Sequence, residues 1–249
     1  MERILIVGAT SAIAAEVAGL HAARGDQLFL VGRSPDKLAT LLERFGDRIT
    51  GSATLDFSLP ESASEAARHV ADWLRPWGGV DRILIAHGDL TDQLASERSV
   101  EVALRSLQIN LLSAVALIVE LSSALERQGS GRLAVITSVA GERGRPRNYT
   151  YGAAKGALTL YLQGLRSRLY GSEISVTTIK LGPVDTPMTT EHAKNALFTD
   201  RHAAARAIVR AMDRRRGEVF VPGFWRWIML GVRNLPEFLF QRFGFLSGR

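Results

Sequence analysis

The chain has 249 residues, 46% hydrophobic and 22% charged, enough to bury the core of one large domain or two small ones and unlike a disordered or fibrous protein. It has no cysteine, which excludes disulfides, thiol catalysis and cysteine-ligated metal. The formal charge of +6 gathers at the end: residues 214–249 carry seven arginines against Glu218 and Glu237, or +5, leaving +1 for the rest and no protein-wide nucleic-acid surface.

In chain order, the opening Met1-Glu-Arg-Ile-Leu-Ile-Val-Gly enters an apolar strand without the features of a secretory signal, so cytoplasmic residence is expected. Apolar runs at 4–7, 28–31, 83–86, 133–137, 174–181 and 219–221 lack polar alternation, as strands covered on both faces do. Stretches at 12–24, 35–45, 61–74, 96–127, 149–170 and 201–214 carry helical spacing. A further strand before Asp56 brings the total to about seven. Alternating strands and helices imply an α/β fold, a Rossmann-type doubly wound parallel sheet. One domain is expected over residues 1–221, followed by an apolar, basic tail at 222–249.

The first strand ends at Gly8, and Gly8-Ala-Thr-Ser-Ala-Ile-Ala leads into a helix whose free amides suit a pyrophosphate. Gly8, Ser11, Ala12 and Ile13 are the expected contacts, although Ala12 and Ala14 stand where a glycine-rich loop has glycine. A strand-to-helix turn with one glycine is also ordinary in α/β proteins. Arg33, after the second strand, can pair with a 2′-phosphate where an acidic residue would hold a free hydroxyl. NADP(H) is therefore favoured, with NAD(H) left open. Asp56 and its neighbour Phe57 fall where adenine would lie, although Asp56 also reads as a turn-forming acid.

Ser138 precedes Tyr151 by thirteen residues, and Tyr151 and Lys155 share a helix face four residues apart. The ammonium is expected to draw the phenol below its ordinary pKa of about 10 and so make it a proton donor and acceptor near neutrality.

With Gly8, Asp56, Asn110, Ser138, Tyr151 and Lys155 in this order, the chain resembles the short-chain dehydrogenase/reductase family over nearly its whole length. The resemblance implies an NAD(P)-dependent enzyme in which Tyr151 is the general acid/base and Lys155 tunes it and binds cofactor ribose. It implies that Ser138 orients the substrate carbonyl and that Asn110 holds a relay water. Ala86-His87-Gly88 replaces the family's Asn-Ala-Gly, with Ala86 and Gly88 as expected cofactor contacts, while Gly182-Pro-Val-Asp-Thr places Val184 and Thr186 near the nicotinamide. His87 is read as a packed residue outside the chemistry. No metal is expected. The resemblance also implies a homo-oligomer.

Seven of the chain's eighteen aromatic residues lie between Phe224 and Phe245, interrupted by Arg226, Arg233 and Arg242, so this stretch is too broken to span a bilayer. It suits peripheral contact at the inner membrane face, or equally a segment folded over the active site or a second subunit. The Ser138–Tyr151 segment, the Gly182 run and the tail are similar to decaprenylphosphoryl-2-keto-pentose reductases. That branch implies a lipid-linked ketosugar, with Arg143, Arg145 and Arg147 placed to meet a phosphate or else forming a solvated loop. A soluble ketoreductase acting on a steroid, acyl chain or xenobiotic, and a nonenzymatic NADP(H)-binding sensor or scaffold, are the alternatives.

Overall fold

The computed structural model describes residues 1–58, 65, 69, 72–189 and 195–242, and the expected helix at 61–74 falls mostly outside them. The central sheet has seven strands, all parallel, in the order β3-β2-β1-β4-β5-β6-β9. They are β1 (Arg3–Val7), β2 (Gln27–Gly32), β3 (Ile49–Thr54), β4 (Arg82–Ile85), β5 (Ser130–Ser138), β6 (Glu173–Leu181) and β9 (Glu218–Val221). A short ladder of β7 (Val184–Asp185) and β8 (Thr199–Asp200) stands apart. This is the expected doubly wound sheet in a single domain.

The apolar runs of β1, β2 and β4 are buried along their length because helices cover both faces. One layer packs Leu5, Val7, Ile83 and Ile85 against Leu117, Leu121 and Leu158; the other packs Ile4, Ile6 and Leu84 against Val17, Ala205 and Ile208. Strand β3 is different. It sits at the sheet edge and alternates half-buried with exposed residues, which is why the sequence offers no apolar run there.

Three helices keep their expected extents closely: α1 (Ala12–Ala23), α2 (Pro35–Phe45) and α7 (Arg201–Asp213). Ser34 caps α2 by accepting from the Lys37 amide, with Pro35 at the first turn, and Asp200 caps α7 through the Ala203 amide.

The continuous helix expected over 96–127 is instead α3 (Gln93–Arg98), α4 (Val100–Leu107), a single π-helical turn (Gln108–Leu112) and α5 (Ser113–Gln128). Ser99, in extended backbone, ends α3 and caps α4 through the Val102 amide. The π turn carries Asn110 to the sheet, a use such bulges often have. The path Val100–Gln128 is long and apolar enough to cross a bilayer by composition, yet Leu117, Ile118, Leu121 and Leu125 are fully buried against the sheet. It is the core helix of the domain.

Helix α6 (Tyr149–Arg168) follows, and the segment beyond β9 folds into α8 (Trp225–Asn234) and α9 (Glu237–Arg242). Trp225 and Met229 pack on Val139, at the start of the loop after β5. Lys180, buried in β6, pairs with Glu142 at 2.7 Å and Glu218 at 2.8 Å, while Glu142 also holds Arg233 of α8. The last helices therefore lie over the loop after β5, at the carboxyl edge of the sheet.

Candidate active site

Parallel strands bring β1, β4, β5 and β6 to one edge of the sheet with their carboxyl ends together, where open α/β sheets bind ligands. The cavity at this edge has a volume of about 270 Å³ and is bounded by the loops after these strands, α6 and Trp225.

At the phosphate end, Gly8 has φ +81, and a Cβ there would stand 2.5 Å from the His87 backbone nitrogen, so both conformation and space require glycine. Ser11 is the N-cap of α1 but its side chain makes no cap bond. The opening amides of α1 are thus left uncapped by that side chain, an arrangement that suits an anion. Ser11, Ile13, Ala86, Gly88, Val184 and Thr186 all line the cavity, so these residues fit a nicotinamide dinucleotide along the sheet edge. Ala12 is half-buried beside them. Arg33 is exposed after β2, close enough to Asp56 to lower its carboxyl, although the Ser58 amide is the larger cause. Phe57 is turned inward: its ring is buried and stacks on His87 with centroids 4.3 Å apart, so its side chain is not at the cavity surface.

Ser138 ends β5, and Tyr151 and Lys155 lie on the first turns of α6. The serine loop and the helix touch backbone to backbone: a Cβ on Gly141 would stand 2.6 Å from the Gly156 nitrogen. Ser138, Tyr151 and Lys155 all line the cavity, and the Ser138 hydroxyl is near enough to Tyr151 to oppose the rise of its pKa. The Ser138 hydroxyl also accepts from the Ala140 amide at 3.1 Å, which fixes its rotamer. Lys155 is buried, and its ammonium donates to the Ile136 carbonyl at 3.4 Å.

Asn110 clamps the loop after β4 by donating from Nδ2 to the Asp89 carbonyl at 3.0 Å and accepting on Oδ1 from the Asp89 amide at 3.1 Å. It does not bond Lys155. The two meet across Gly88, where a Cβ would stand 2.9 Å from Asn110 Oδ1 and 3.2 Å from Lys155 Nζ. Asn110 is thus spent on the protein backbone.

The lowered phenol expected from the Tyr151 and Lys155 pair is not found. Burial pushes the Tyr151 hydroxyl up to about 12, with the Ser138 hydrogen bond opposing it, and burial brings the Lys155 ammonium down to about 8. Desolvation of the charged form is the largest cause for both groups.

Other residues at this edge were read in the sequence only as packed, basic or aromatic. His87 Nε2 contacts Ser113 Oγ at 2.8 Å, while that hydroxyl donates to the Ile109 carbonyl. The ring therefore carries its proton on Nε2, and burial lowers its pKa to about 3, keeping it neutral. This supports its reading as a packed residue. Trp225, Arg145 and Asn148 line the cavity beside Ser138 and Tyr151. Arg143 is engaged elsewhere, bonding the Val232 and Leu235 carbonyls and Glu237 while lying over the Phe240 ring.

The short chain dehydrogenase family model matches residues 2–197. An uncharacterized oxidoreductase from the mprA 5′ region of Streptomyces coelicolor is 34% identical over 242 residues, spanning 96% of this chain and 94% of that protein. A short chain dehydrogenase from Burkholderia cenocepacia, solved in complex with NADP, superimposes with a TM-score of 0.80 at 18% identity, covering 97% of this chain and 96% of the other. An actinorhodin polyketide ketoreductase solved with NADPH gives 0.77 at 20% identity, covering 90% and 97%. With the family matched over most of its length and a serine, tyrosine and lysine gathered at the sheet edge, the chain belongs to the short-chain dehydrogenase/reductase family and is a nicotinamide-dependent oxidoreductase.

Proposed function

We propose that the enzyme reduces a ketone to a secondary alcohol, with Tyr151 Oη giving the proton to the carbonyl oxygen. The observation that carries this reading is the convergence of Ser138, Tyr151 and Lys155 on one cavity at the carboxyl edge of the sheet. The bound nicotinamide supplies hydride. A hydroxyl pushed up to about 12 keeps its proton at neutral pH, which suits a donor. Ser138 orients the carbonyl by hydrogen bonding, and the Lys155 charge favours the phenolate left after transfer. Asn110 positions the floor of the site through Asp89 and Gly88. Assay of Tyr151→Phe with NADPH and a ketone panel tests this: turnover is expected to fall by roughly 10²- to 10⁴-fold while cofactor binding persists. Undiminished turnover would remove Tyr151 from its role.

Within the cofactor class we favour NADP(H), on the strength of Arg33 and of family relatives solved with NADP or NADPH. The finer substrate reading is a polyprenyl-phosphate-linked 2-keto-pentose presented at a membrane surface. Its support is the resemblance of the loop and tail segments together with the exposed Phe224, Trp227, Leu230 and Phe238 of the final helices. Val100, Leu104, Leu112 and Val119 form a second exposed apolar row along the middle helices, which fits a homo-oligomeric contact.

A further inference from the structure

We infer that the substrate carries an oxoanion, carboxylate or phosphate, beside its reacting carbonyl, and that Arg145 and the Trp225 indole N–H receive it. This rests on the ketone-reduction reading and narrows its substrate class. Arg145 lies on the loop between Ser138 and Tyr151 and lines their cavity. Its Nε is buried without a hydrogen-bond partner, and the indole nitrogen of Trp225 is likewise buried and unpartnered. The guanidinium's hydrogen bond is to Met229 Sδ, at 3.6 Å, a weak acceptor. Met229 is one helical turn from Trp225 and shares its face, so Arg145 meets α8 on the face that carries Trp225, and both residues line the cavity.

A buried cation and a buried N–H without partners are both costly, the cation more so. Among the described residues no carboxylate pairs with Arg145: Glu142 is held by Lys180 and Arg233, and Glu237 by Arg143. Asp89 also lines the cavity, with its backbone bound by Asn110, and it makes no ion pair with Arg145. Burial acts on Arg145 unopposed by any neighbouring acid, yet a guanidinium keeps its charge near neutrality. An anion would satisfy both donors at once, through charge-assisted bonds. The pyrophosphate of the dinucleotide belongs at the other end of the cavity, at Ser11 and Ile13, so it does not serve this role. The unpartnered Asn148 Oδ1 adds an acceptor for a hydroxyl on the same ligand.

The test compares matched ketones, acetoacetate with ethyl acetoacetate and dihydroxyacetone phosphate with dihydroxyacetone, in the wild type, Arg145→Met and Arg145→Lys. The wild type is expected to favour the charged member of one pair, and Arg145→Met to lower the charged-to-neutral ratio of kcat/KM by roughly 10- to 100-fold, mostly through KM. Arg145→Lys should recover part of it. Which pair responds separates carboxylate from phosphate. Calorimetric titration of the NADPH-loaded protein with malonate and with phenyl phosphate gives a readout independent of turnover. Arg145-dependent binding of either probe with no ketone reduced keeps the anion subsite and overturns the reaction reading. An unchanged ratio together with probe binding indifferent to Arg145 overturns the subsite and leaves Arg145 a packing residue against Met229. If Arg145→Met does not fold, Arg145→Gln provides the same ratio test.

Discussion

The indole of Trp225 lies against Gly182 so closely that a Cβ at 182 would stand 2.1 Å from its Nε1. This contact joins the turn after β6 to the first turn of α8, and both residues line the cavity. Gly182→Ala must therefore displace the indole. A cost of about 1–3 kcal/mol and a fall in Tm of roughly 2–10 °C are expected, with a red shift in tryptophan emission as the ring gains water. Scanning calorimetry and fluorescence check this; an unaltered Tm and spectrum would show that the tail does not rest on Gly182.

The cofactor preference is carried by Arg33, exposed after β2 and near Asp56. Replacing it with alanine removes the fork that pairs with a 2′-phosphate but leaves a ribose hydroxyl untouched. The expected result is NADPH affinity weakened roughly 10- to 100-fold with little change for NADH, measured by fluorescence titration. Equal losses for both cofactors would contradict the preference.

Lys155 gives a pH signature in the cofactor-free protein. Its ammonium is brought from the ordinary 10.5 down to about 8 by burial, so between these values the unfolded chain holds a proton that the folded chain has lost. Unfolding then takes up a proton, and Lys155 makes stability rise with pH over that window. Tyr151 acts oppositely, because its hydroxyl is raised from 10.0 to about 12 and its contribution falls as pH climbs past 10. Tm measured from pH 7 to 10 should show the Lys155 rise in the wild type and lose it in Lys155→Met. Parallel profiles would mean that the amine is solvated.

The exposed aromatics of the last helices bear on membrane contact. Trp227 and Phe238 are both about 70% exposed, whereas Trp225 and Phe240 are buried, so the outer pair can be changed without opening the core. Trp227→Ser with Phe238→Ser is expected to weaken sedimentation with phosphatidylglycerol vesicles roughly tenfold or more at an unchanged Tm. Loss of a dimer in ultracentrifugation, with no vesicle binding in the wild type, would assign this face to a second subunit.

Much of this was legible before any coordinates. Strands covered on both faces leave apolar runs, and the order of Ser138, Tyr151 and Lys155 carried the family. The edge strand β3 left no run because its outer face meets water. The break at Ser99 and the π turn at Asn110 were hidden because helical spacing continues through both. The composition of residues 222–249 marked them as unusual, but only the packing of Trp225 and Met229 on Val139 tells where α8 lies. Arg143 and Arg145 look alike in sequence. They differ because one meets the ends of α8 and α9 and the other bonds a sulfur.

The tie between Glu142 and two cations has a consequence for protein engineering. A carboxylate shared by Lys180 from the sheet and Arg233 from α8 makes the serine loop and the final helices one inheritable unit. A chimaera that borrows a relative's C-terminus alone would strand Arg143 and Glu142 without their counterparts. Specificity in this enzyme is best transplanted by moving residues 139–148 and 222–242 together.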